Sequence, residues 1–286
     1  MADEQVRRYI NESISGDAGL WPMDWFSRRY SPRFERALSI GCGTGALERD
    51  LLRRGICDRF DAFDGSPVSL DVARTEAAKL GYSERIHYSI GDFNAPKLPR
   101  RAYDAVFLHQ SAHHVAKLEK LFRAVLRSLK RGGVLYLDEY IGPSRSDWND
   151  FLLGPLRSIH KMLPPEVRTS DDLPAPIQPA DPSEAIRSAE ILPQLRIGFR
   201  IDAVRGYGGN ILAMLFDEIR DPSPALVRQL IAAERELLRA GAEPFYAVIV
   251  AHPRRGLASA AASIRYFVEP KMKRIFRELA GLVRRA

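Results

Sequence analysis

The fold class is decided by residues 39–45, which read Ser39-Ile40-Gly41-Cys42-Gly43-Thr44-Gly45. This stretch follows a short apolar segment and precedes a helical one. Its glycines let the backbone approach a ligand closely, and a helix that begins there offers free N–H donors. Asp64 ends the next apolar segment, where a carboxylate can accept hydrogen bonds from both hydroxyls of a ribose. The arrangement favours a nucleoside site over the alternative, a structural tight turn followed by an ordinary helix-capping aspartate.

Short apolar segments alternate with helical ones along the chain, as in a parallel sheet with helices on both faces. Ser66 can cap a helix whose first position suits Pro67, and Gly81 can end that helix. An apolar stripe over 118–129 predicts another helix, which the basic and glycine residues 130–133 should end. We therefore predict an α/β fold with a doubly wound, mostly parallel, seven-stranded sheet. The predicted strands are 37–40, 60–63, 85–90, 103–108, 134–140, 196–204 and 245–251. Later in the chain we predict one helix over 183–192 and helices within 210–240.

Composition divides the chain into five segments. Residues 1–35 predict an N-terminal helical extension, residues 36–142 form the core that holds the glycine turn, and residues 183–253 complete the sheet. Residues 143–182 hold eight of the 19 prolines and predict an irregular or partly helical insertion, which in this fold class commonly forms a lid over the substrate. Residues 254–286 predict a basic amphipathic helix.

The net charge of +7 belongs to the last 33 residues. They hold nine Lys/Arg and two Asp/Glu, so the first 253 residues are neutral in sum. A basic amphipathic helix can pack on its own domain or on a second subunit of a homo-oligomer, or it can lie on an anionic membrane surface. The neutral body lacks the basic surface with interleaved aromatics that is typical of nucleic-acid binding, so we do not expect nucleic acid as a partner.

Length and composition exclude several classes of protein. A chain of 286 residues with 45% apolar and 28% charged residues is typical of a globular domain and not of a disordered or collagen-like chain. Its apolar stretches are too short to span a membrane, and the acids Asp3 and Glu4 do not fit a signal peptide. Two cysteines, Cys42 and Cys57, are typical of a reducing compartment. We expect a cytoplasmic protein, which could reach the inner membrane surface through its basic helix.

The sequence resembles the class I S-adenosylmethionine-dependent methyltransferases, a family with a Rossmann-like fold. The resemblance rests on the glycine turn, on Asp64, on Gly91-Asp92-Phe93 after the third predicted strand, and on residues 129–135 leading into the fifth. It covers residues 36–140 and implies S-adenosyl-L-methionine as the cofactor. The chain departs from the family at Ser39, two positions before the first glycine, where the family usually has an acidic residue.

The resemblance also implies which residues contact the cofactor. Asp64 would hold the ribose, Asp92 would accept a hydrogen bond from the adenine amino group, and Phe93 would lie by the adenine ring. The glycines of the turn would lie under the methionine and the ribose. The full set of implied cofactor-binding residues is Gly41, Cys42, Gly43, Gly45, Asp64, Gly65, Ser66, Asp92, Phe93 and His109.

The fourth predicted strand ends in a histidine-rich segment at the carboxyl edge of the sheet, where ligands bind. In related methyltransferases a paired-histidine segment matching His113-His114 follows this strand. An unperturbed imidazole titrates near pH 6.5, so His113 or His114 could take a proton from a hydroxyl acceptor. The alternative is that the pair begins and packs the next helix. We expect no metal site, because no cysteine or carboxylate cluster accompanies His109, His113 and His114.

The fifth predicted strand supplies a second candidate base, Glu139, and a predicted substrate contact, Tyr140. Alternation along the strand should leave one acid of the Asp138-Glu139 pair near the cleft. Trp148 and Asn149 begin the proline-rich insertion and are also predicted to contact the substrate. The alternative for Glu139 and Tyr140 is that they are ordinary polar residues at the end of a strand. The alternative for Trp148 is that it only packs against its neighbours.

Together with the resemblance, these residues predict S-adenosylmethionine-dependent methyl transfer to a small molecule, at oxygen on a sugar-like or natural-product acceptor. In that reaction the cofactor supplies the reactivity, while the protein aligns donor and acceptor and excludes water. Two alternatives stay open. One is methylation of RNA, with the basic helix holding phosphate. The other is a catalytically inactive protein that binds the cofactor and docks a partner.

Overall fold

The computed structural model describes residues 3–30, 33–176 and 178–254. The strands are β1 (Phe34–Ile40), β2 (Cys57–Asp64), β3 (Ile86–Ile90), β4 (Tyr103–His109), β5 (Leu129–Tyr140), β6 (Phe199–Gly208) and β7 (Tyr246–Pro253). They form one seven-stranded sheet in the order β3-β2-β1-β4-β5-β7-β6. Strands β1 to β5 pair in parallel, whereas β7 is antiparallel to both β5 and β6. The predicted mostly parallel, doubly wound sheet is confirmed.

Helices connect the strands and cover both faces of the sheet. The α-helices of the described residues are α1 (Glu4–Ser15), α2 (Pro22–Tyr30), α3 (Ala46–Arg53), α4 (Pro67–Lys79), α5 (Leu118–Ser128), α6 (Asp150–Met162), α7 (Ile191–Gly198), α8 (Leu212–Leu215) and α9 (Pro224–Arg239). Short 3-10 helices cover Ala112–His114, Pro165–Val167, Ser188–Glu190 and Phe216–Glu218. Helix α4 begins as its sequence predicts, because the Ser66 hydroxyl accepts a hydrogen bond from the N–H of Ser69.

Two apolar cores hold the sheet in place, one on each face. On one face the fully buried ring of Phe26 lies 4.9 Å from the ring of Tyr136 and 5.8 Å from that of Phe107. On the other face α5 buries Leu118 and Leu121 against the strands. Burying one large apolar side chain contributes ~1.5–3 kcal/mol, so these cores fix the ends of the strands relative to one another.

The direction of chain growth reverses at the centre of the sheet. From β1 the chain builds β2 and β3 on one side, and it then returns to build β4 and β5 on the other. The loops that follow β1 and β4 therefore leave the sheet in opposite directions, and a crevice opens between them. Doubly wound sheets bind their ligands at this position, so the fold places the site at the carboxyl ends of β1, β2 and β4.

One helix boundary differs from the sequence prediction. Residues 130–133 do not end α5, which stops at Ser128, but belong to β5. The pairing of β4 with β5 shifts in register there, because Tyr103 pairs with Leu129 while Ala105 pairs with Val134. The glycines of this segment let the strand take up the extra residues as a bulge.

The prediction was also wrong about where the next elements begin. The residues after 183 do not start a helix, because the Asp181 carboxylate accepts a hydrogen bond from the N–H of Ser183 and holds a turn. Helix α7 starts at Ile191, and the predicted strand 196–204 starts at Phe199. The helices predicted within 210–240 are α8 and α9, with the 3-10 helix Phe216–Glu218 between them.

The insertion and helix α1 lie beside the sheet. Residues 143–182 contain α6, which Asn149 caps by accepting hydrogen bonds from the N–H groups of Phe151 and Leu152. Helices α1, α6, α8 and α9 share a third apolar cluster, and α1 also packs on β6. The predicted basic helix 254–286 lies outside the described residues except for Arg254. No helix in the described part of the chain is long and apolar enough to cross a membrane.

Candidate functional site

The glycine turn after β1 has a backbone that side chains would not tolerate. Gly41 has φ +73°, and a Cβ there would come within 2.4 Å of the Ser111 Cβ. Gly45 has φ +75°, and a Cβ there would come within 2.3 Å of the Tyr88 hydroxyl. Non-glycine residues rarely adopt this left-handed region. The turn therefore needs glycine for its conformation and for the close approach of Ser111 and Tyr88.

Asp64, at the end of β2, ties the turn to the next helix. One carboxylate oxygen accepts a hydrogen bond from the N–H of Gly43 at 2.8 Å, and the other accepts one from the N–H of Ser66 at 2.9 Å. Each carboxylate oxygen has a second acceptor position. Asp64 can therefore hold the turn in place and still accept hydrogen bonds from a ligand in the crevice.

A cleft of about 610 Å³ opens between the loops after β1, β2 and β4. It brings together eight of the residues that the sequence predicts as functional. These are Gly41, Cys42, Gly43, Asp64, Ser66, Phe93, His109 and His114. Five further lining residues were missed by sequence reasoning, namely Asn94, Gln110, Ser111, Asp181 and Ser183.

The remaining predicted cofactor residues stand next to the cleft but do not line it. Gly45 begins α3, and Gly65 joins Asp64 to the cap of α4. Asp92 is exposed, and its carboxylate accepts a hydrogen bond from the N–H of Asn94 at 2.7 Å, which folds the loop after β3. Its neighbour Phe93 does line the cleft, with its ring 5.8 Å from that of Phe63.

The loop after β4 is held in an unusual conformation. Gln110 has φ +52°, a region that non-glycine residues adopt at a cost of roughly 1–3 kcal/mol. Its backbone and side-chain N–H groups both donate to the carbonyl of Asp138, at 2.8 and 3.1 Å. These bonds turn the chain toward the crevice and place the following 3-10 helix, Ala112–His114, beside it.

Glu139 is buried beneath this loop, which corrects its prediction as a base that faces the substrate. The side chain is 0% exposed. One oxygen accepts hydrogen bonds from the N–H groups of Ser111 and Ala112 at 2.8 and 2.7 Å, and the other lies 2.9 Å from Nδ1 of His113. All its bonds point into the protein, so Glu139 positions the histidine loop and cannot reach an acceptor in the cleft.

The predicted substrate contacts are also structural residues. Tyr140 is 5% exposed, and its hydroxyl donates to the carbonyl of Pro143 at 2.9 Å. Trp148 packs edge-on against Phe245, and Asn149 caps α6. None of the three lines the cleft. Tyr140 is drawn into the protein because β5 pairs with β7 along its whole carboxyl half.

The two histidines of the loop have different environments. His113 is buried, and burial alone would lower its pKa, but the hydrogen bond and the charge of Glu139, together with the charges of Glu184 and Asp181, raise it. His114 lines the cleft, and burial together with the neighbouring His113 lowers its pKa. The rings lie with their centroids 4.3 Å apart.

A carboxylate that the sequence analysis did not anticipate faces both rings. Glu184 places one oxygen 3.8 Å from Nε2 of His113 and the other 3.6 Å from Nε2 of His114. His109, which the sequence analysis grouped with the pair, lies apart and has Nε2 3.7 Å from the Asp138 carboxylate. The expectation that no carboxylate accompanies the histidine pair was therefore wrong, because the turn at residues 181–184 folds back over the loop.

Comparison with known proteins gives the same architecture. Residues 38–137 match the family model of a methyltransferase domain. Sterol 24-C-methyltransferase of Saccharomyces cerevisiae is 23% identical over 142 residues, which cover 50% of this chain and 35% of that protein. The chain matches only about a third of the length of the first curated relatives.

Two solved structures share the fold over most of the chain. The crystal structure of the cyclase SpnF has a TM-score of 0.52 at 19% identity and covers 88% of this chain and 96% of its own. Geranyl diphosphate C-methyltransferase from Streptomyces coelicolor A3(2) has a TM-score of 0.50 at 14% identity and covers 78% of this chain and 74% of its own. At such identities these likenesses show the fold alone.

Proposed function

We propose that this protein transfers the methyl group of S-adenosyl-L-methionine to a small molecule. Its residues 38–137 belong to the class I S-adenosylmethionine-dependent methyltransferase family. The observation that carries the proposal is the position of Asp64 and the glycine turn, which line the same cleft as His114. Donor and acceptor sites are then contiguous, as in-line displacement requires.

The cofactor would occupy the part of the cleft next to β1 and β2. Its ribose hydroxyls would donate to Asp64, its adenine would lie against Phe93, and its amino acid part would follow the glycine turn. Asp92 and the N–H groups of the following loop are proposed to bind the adenine edge. When bound, S-adenosyl-L-methionine supplies the electrophilic methyl group, and the protein supplies alignment and exclusion of water.

The acceptor would lie at the other end of the cleft. That end is polar, with His109, His114, Asp181 and Ser183 on its wall. A hydroxylated acceptor can pair with these groups, whereas a wholly apolar one would leave them buried without partners at a cost. We therefore propose methylation at oxygen of a sugar-like or similarly polar natural product. In the absence of a bound cation, the imidazole of His114 is the proposed group that receives the proton of the acceptor hydroxyl, and His113 and Glu139 position it.

Methylation at carbon is the second candidate. The similarity to sterol 24-C-methyltransferases over the methyltransferase domain favours it. The polar wall of the cleft favours oxygen instead. RNA as the substrate has less support, because only the tail beyond the described residues carries the excess of basic residues. Contact of that tail with a membrane or with a second subunit stays a proposal.

The cofactor assignment is tested by calorimetry with S-adenosyl-L-methionine. Asp64→Asn leaves one acceptor oxygen where the carboxylate has two, and we expect its affinity to fall by ~2 kcal/mol, roughly thirtyfold. Asp71→Asn, an exposed change on α4, is the matched control and should bind as the unaltered protein does. Thermal unfolding without ligand shows whether Asp64→Asn has disturbed the turn itself. Equal affinity in the two variants would remove Asp64 from the cofactor site.

The reaction is tested with S-adenosyl-L-methionine labelled in the methyl group, incubated with fractions of small molecules from cell extract. Label in a small-molecule product supports the proposal, and the carbon NMR shift of a ¹³C-labelled methyl distinguishes transfer to oxygen from transfer to carbon. Binding of the cofactor without a labelled product would favour a catalytically inactive interaction protein. Absence of both binding and product would eliminate the methyltransferase proposal.

A further inference from the structure

Two imidazoles and one carboxylate share a corner of the cleft. Nε2 of His113 and Nε2 of His114 lie 3.8 and 3.6 Å from the two oxygens of Glu184. One potential ligand atom from each residue can be chosen so that all three lie within 4.8 Å of one another. His113 and Glu184 stand behind His114, which lines the cleft. The group is therefore partly buried but has one side open to a ligand.

The hydrogen bonds behind the rings fix which nitrogen carries the proton. His113 Nδ1 lies 2.9 Å from a Glu139 oxygen, and a carboxylate can only accept, so Nδ1 donates. The Ser183 hydroxyl donates to Asp181 at 2.6 Å, so its lone pair is left to accept from Nδ1 of His114 at 3.0 Å. In the neutral imidazoles both Nε2 atoms therefore carry lone pairs.

Three electron-pair donors thus face one another. The separations of 3.6 and 3.8 Å are too long for hydrogen bonds to Glu184. A cation between the two neutral imidazoles and the carboxylate would be ligated by all three. Zinc binds nitrogen and oxygen at about 2.0–2.2 Å, and in a tetrahedral site this places ligand atoms about 3.4 Å apart. One ligand atom from each of the three residues already lies within 4.8 Å of the other two, so the side chains would draw together to close the site.

We propose that His113 Nε2, His114 Nε2 and Glu184 bind one divalent transition-metal ion, with the chemistry of a zinc site and a fourth position open to the cleft. Two imidazoles favour zinc and its neighbours over magnesium, which prefers oxygen ligands. Glu139 and Ser183 would orient the two rings, as carboxylates and hydroxyls do for histidine ligands in metalloproteins. Two histidines, one glutamate and one open position form the ligand set of a catalytic zinc.

The consequence for catalysis rests on the proposed function, whereas the binding itself does not. The fourth ligand would be the acceptor hydroxyl, because His114 faces the acceptor end of the cleft. Binding to the ion lowers the pKa of an oxygen ligand. The O–H bond would then break with its proton passing to water, and an O–CH₃ bond would form as the S–CH₃ bond of the cofactor breaks, so that S-adenosyl-L-homocysteine is the leaving group. In this state His114 is a ligand and no longer the group that receives the proton.

Zinc binding is tested on the full chain after removal of metal with a chelator. We expect calorimetry to show one Zn²⁺ bound per chain, and Co²⁺ to give the visible absorption of a tetrahedral site without a thiolate band. Glu184→Gln and His114→Asn should each lower the affinity at least tenfold. His87→Asn removes an exposed histidine of β3 and should leave binding unchanged. Thermal unfolding of the metal-free variants separates loss of a ligand from loss of the fold.

The outcomes separate this proposal from the proposed function. Uptake of less than one ion, or equal affinity in the unaltered protein and Glu184→Gln, would overturn the metal site. Cofactor binding is measured on the same metal-free samples. If Zn²⁺ binds at one site per chain and S-adenosyl-L-methionine does not bind, the metal site stands and the methyltransferase proposal fails.

Discussion

Replacing Glu139 with glutamine tests whether this residue supports the histidine loop or acts as a base. The carboxylate accepts two backbone N–H bonds, from Ser111 and Ala112, and one from His113, while fully buried. A glutamine of the same shape keeps one oxygen for the backbone donors. Its NH₂ group then faces Nδ1 of His113, which must shift its proton to Nε2 and present it to Glu184.

The magnitude follows from the number and the kind of hydrogen bonds. A bond to a charged group contributes ~1.5–3 kcal/mol, and a neutral one about 1 kcal/mol. Weakening three bonds by about 1 kcal/mol each lowers the free energy of unfolding by ~3 kcal/mol. We expect urea denaturation at neutral pH to show this loss for Glu139→Gln.

The control for this prediction is Glu119→Gln. Glu119 pairs with Arg187 at the surface, with 44% of its side chain exposed, and exposed pairs contribute only about 0–1 kcal/mol. Glu139→Gln with unchanged stability and abolished methyl transfer would refute the structural role. It would restore Glu139 as the proton acceptor.

Two further changes test the glycine turn and the contact of α9 with the start of α8. Gly41→Ala should cost ~2 kcal/mol or more of stability, since φ is +73° and the new Cβ meets Ser111, and should weaken cofactor binding at least tenfold in calorimetry. Gly16 has a similar φ, but no atom lies near the position of its Cβ. Gly16→Ala should therefore lose stability through backbone strain alone and bind the cofactor normally. Equal cofactor binding by both variants would contradict the close packing of the turn. Glu234→Ala leaves three backbone N–H groups at the start of α8 without their acceptor, and should lower the unfolding free energy by ~3 kcal/mol or more, whereas Glu236→Ala should change the denaturation midpoint little.

The parallel half of the sheet could be predicted because its signals are local. Each strand of that half is a short apolar run, and the turn after β1 is marked by three glycines in five residues. Ser66 and Pro67 mark the start of α4 at the level of single residues. Residues 130–133 could not be assigned in the same way, because a basic and glycine-rich segment fits both a helix end and a strand bulge.

The residues that line the cleft beside β1 and β2 could be predicted from the sequence, whereas Asp181 and Ser183, which line it beside His114, could not. The first group follows consecutive strands, so its spacing reveals it, and its role in cofactor binding stays a prediction. Glu184 lies 71 positions after His113, in a segment without periodic signal, and only the folded chain shows that the two meet. Glu139 was predicted to face the substrate because alternation along a strand indicates the face of the sheet on which a residue lies. Alternation does not indicate how deeply the residue is buried. In β5 every residue from Gly133 to Tyr140 is buried on both faces.

The packing of α1 governs the order in which the chain can acquire its structure during synthesis. Helix α1 ends at Ser15, yet its partners are β6, which begins at Phe199, and α9. At translation rates of 5–20 residues per second, roughly 10–40 s pass before those partners exist. During that time α1 can contact α2, but most of the surface on which it packs has not yet been synthesised. The nascent protein therefore completes the packing of α1 only through the slow, long-range contacts of this helix with β6 and α9.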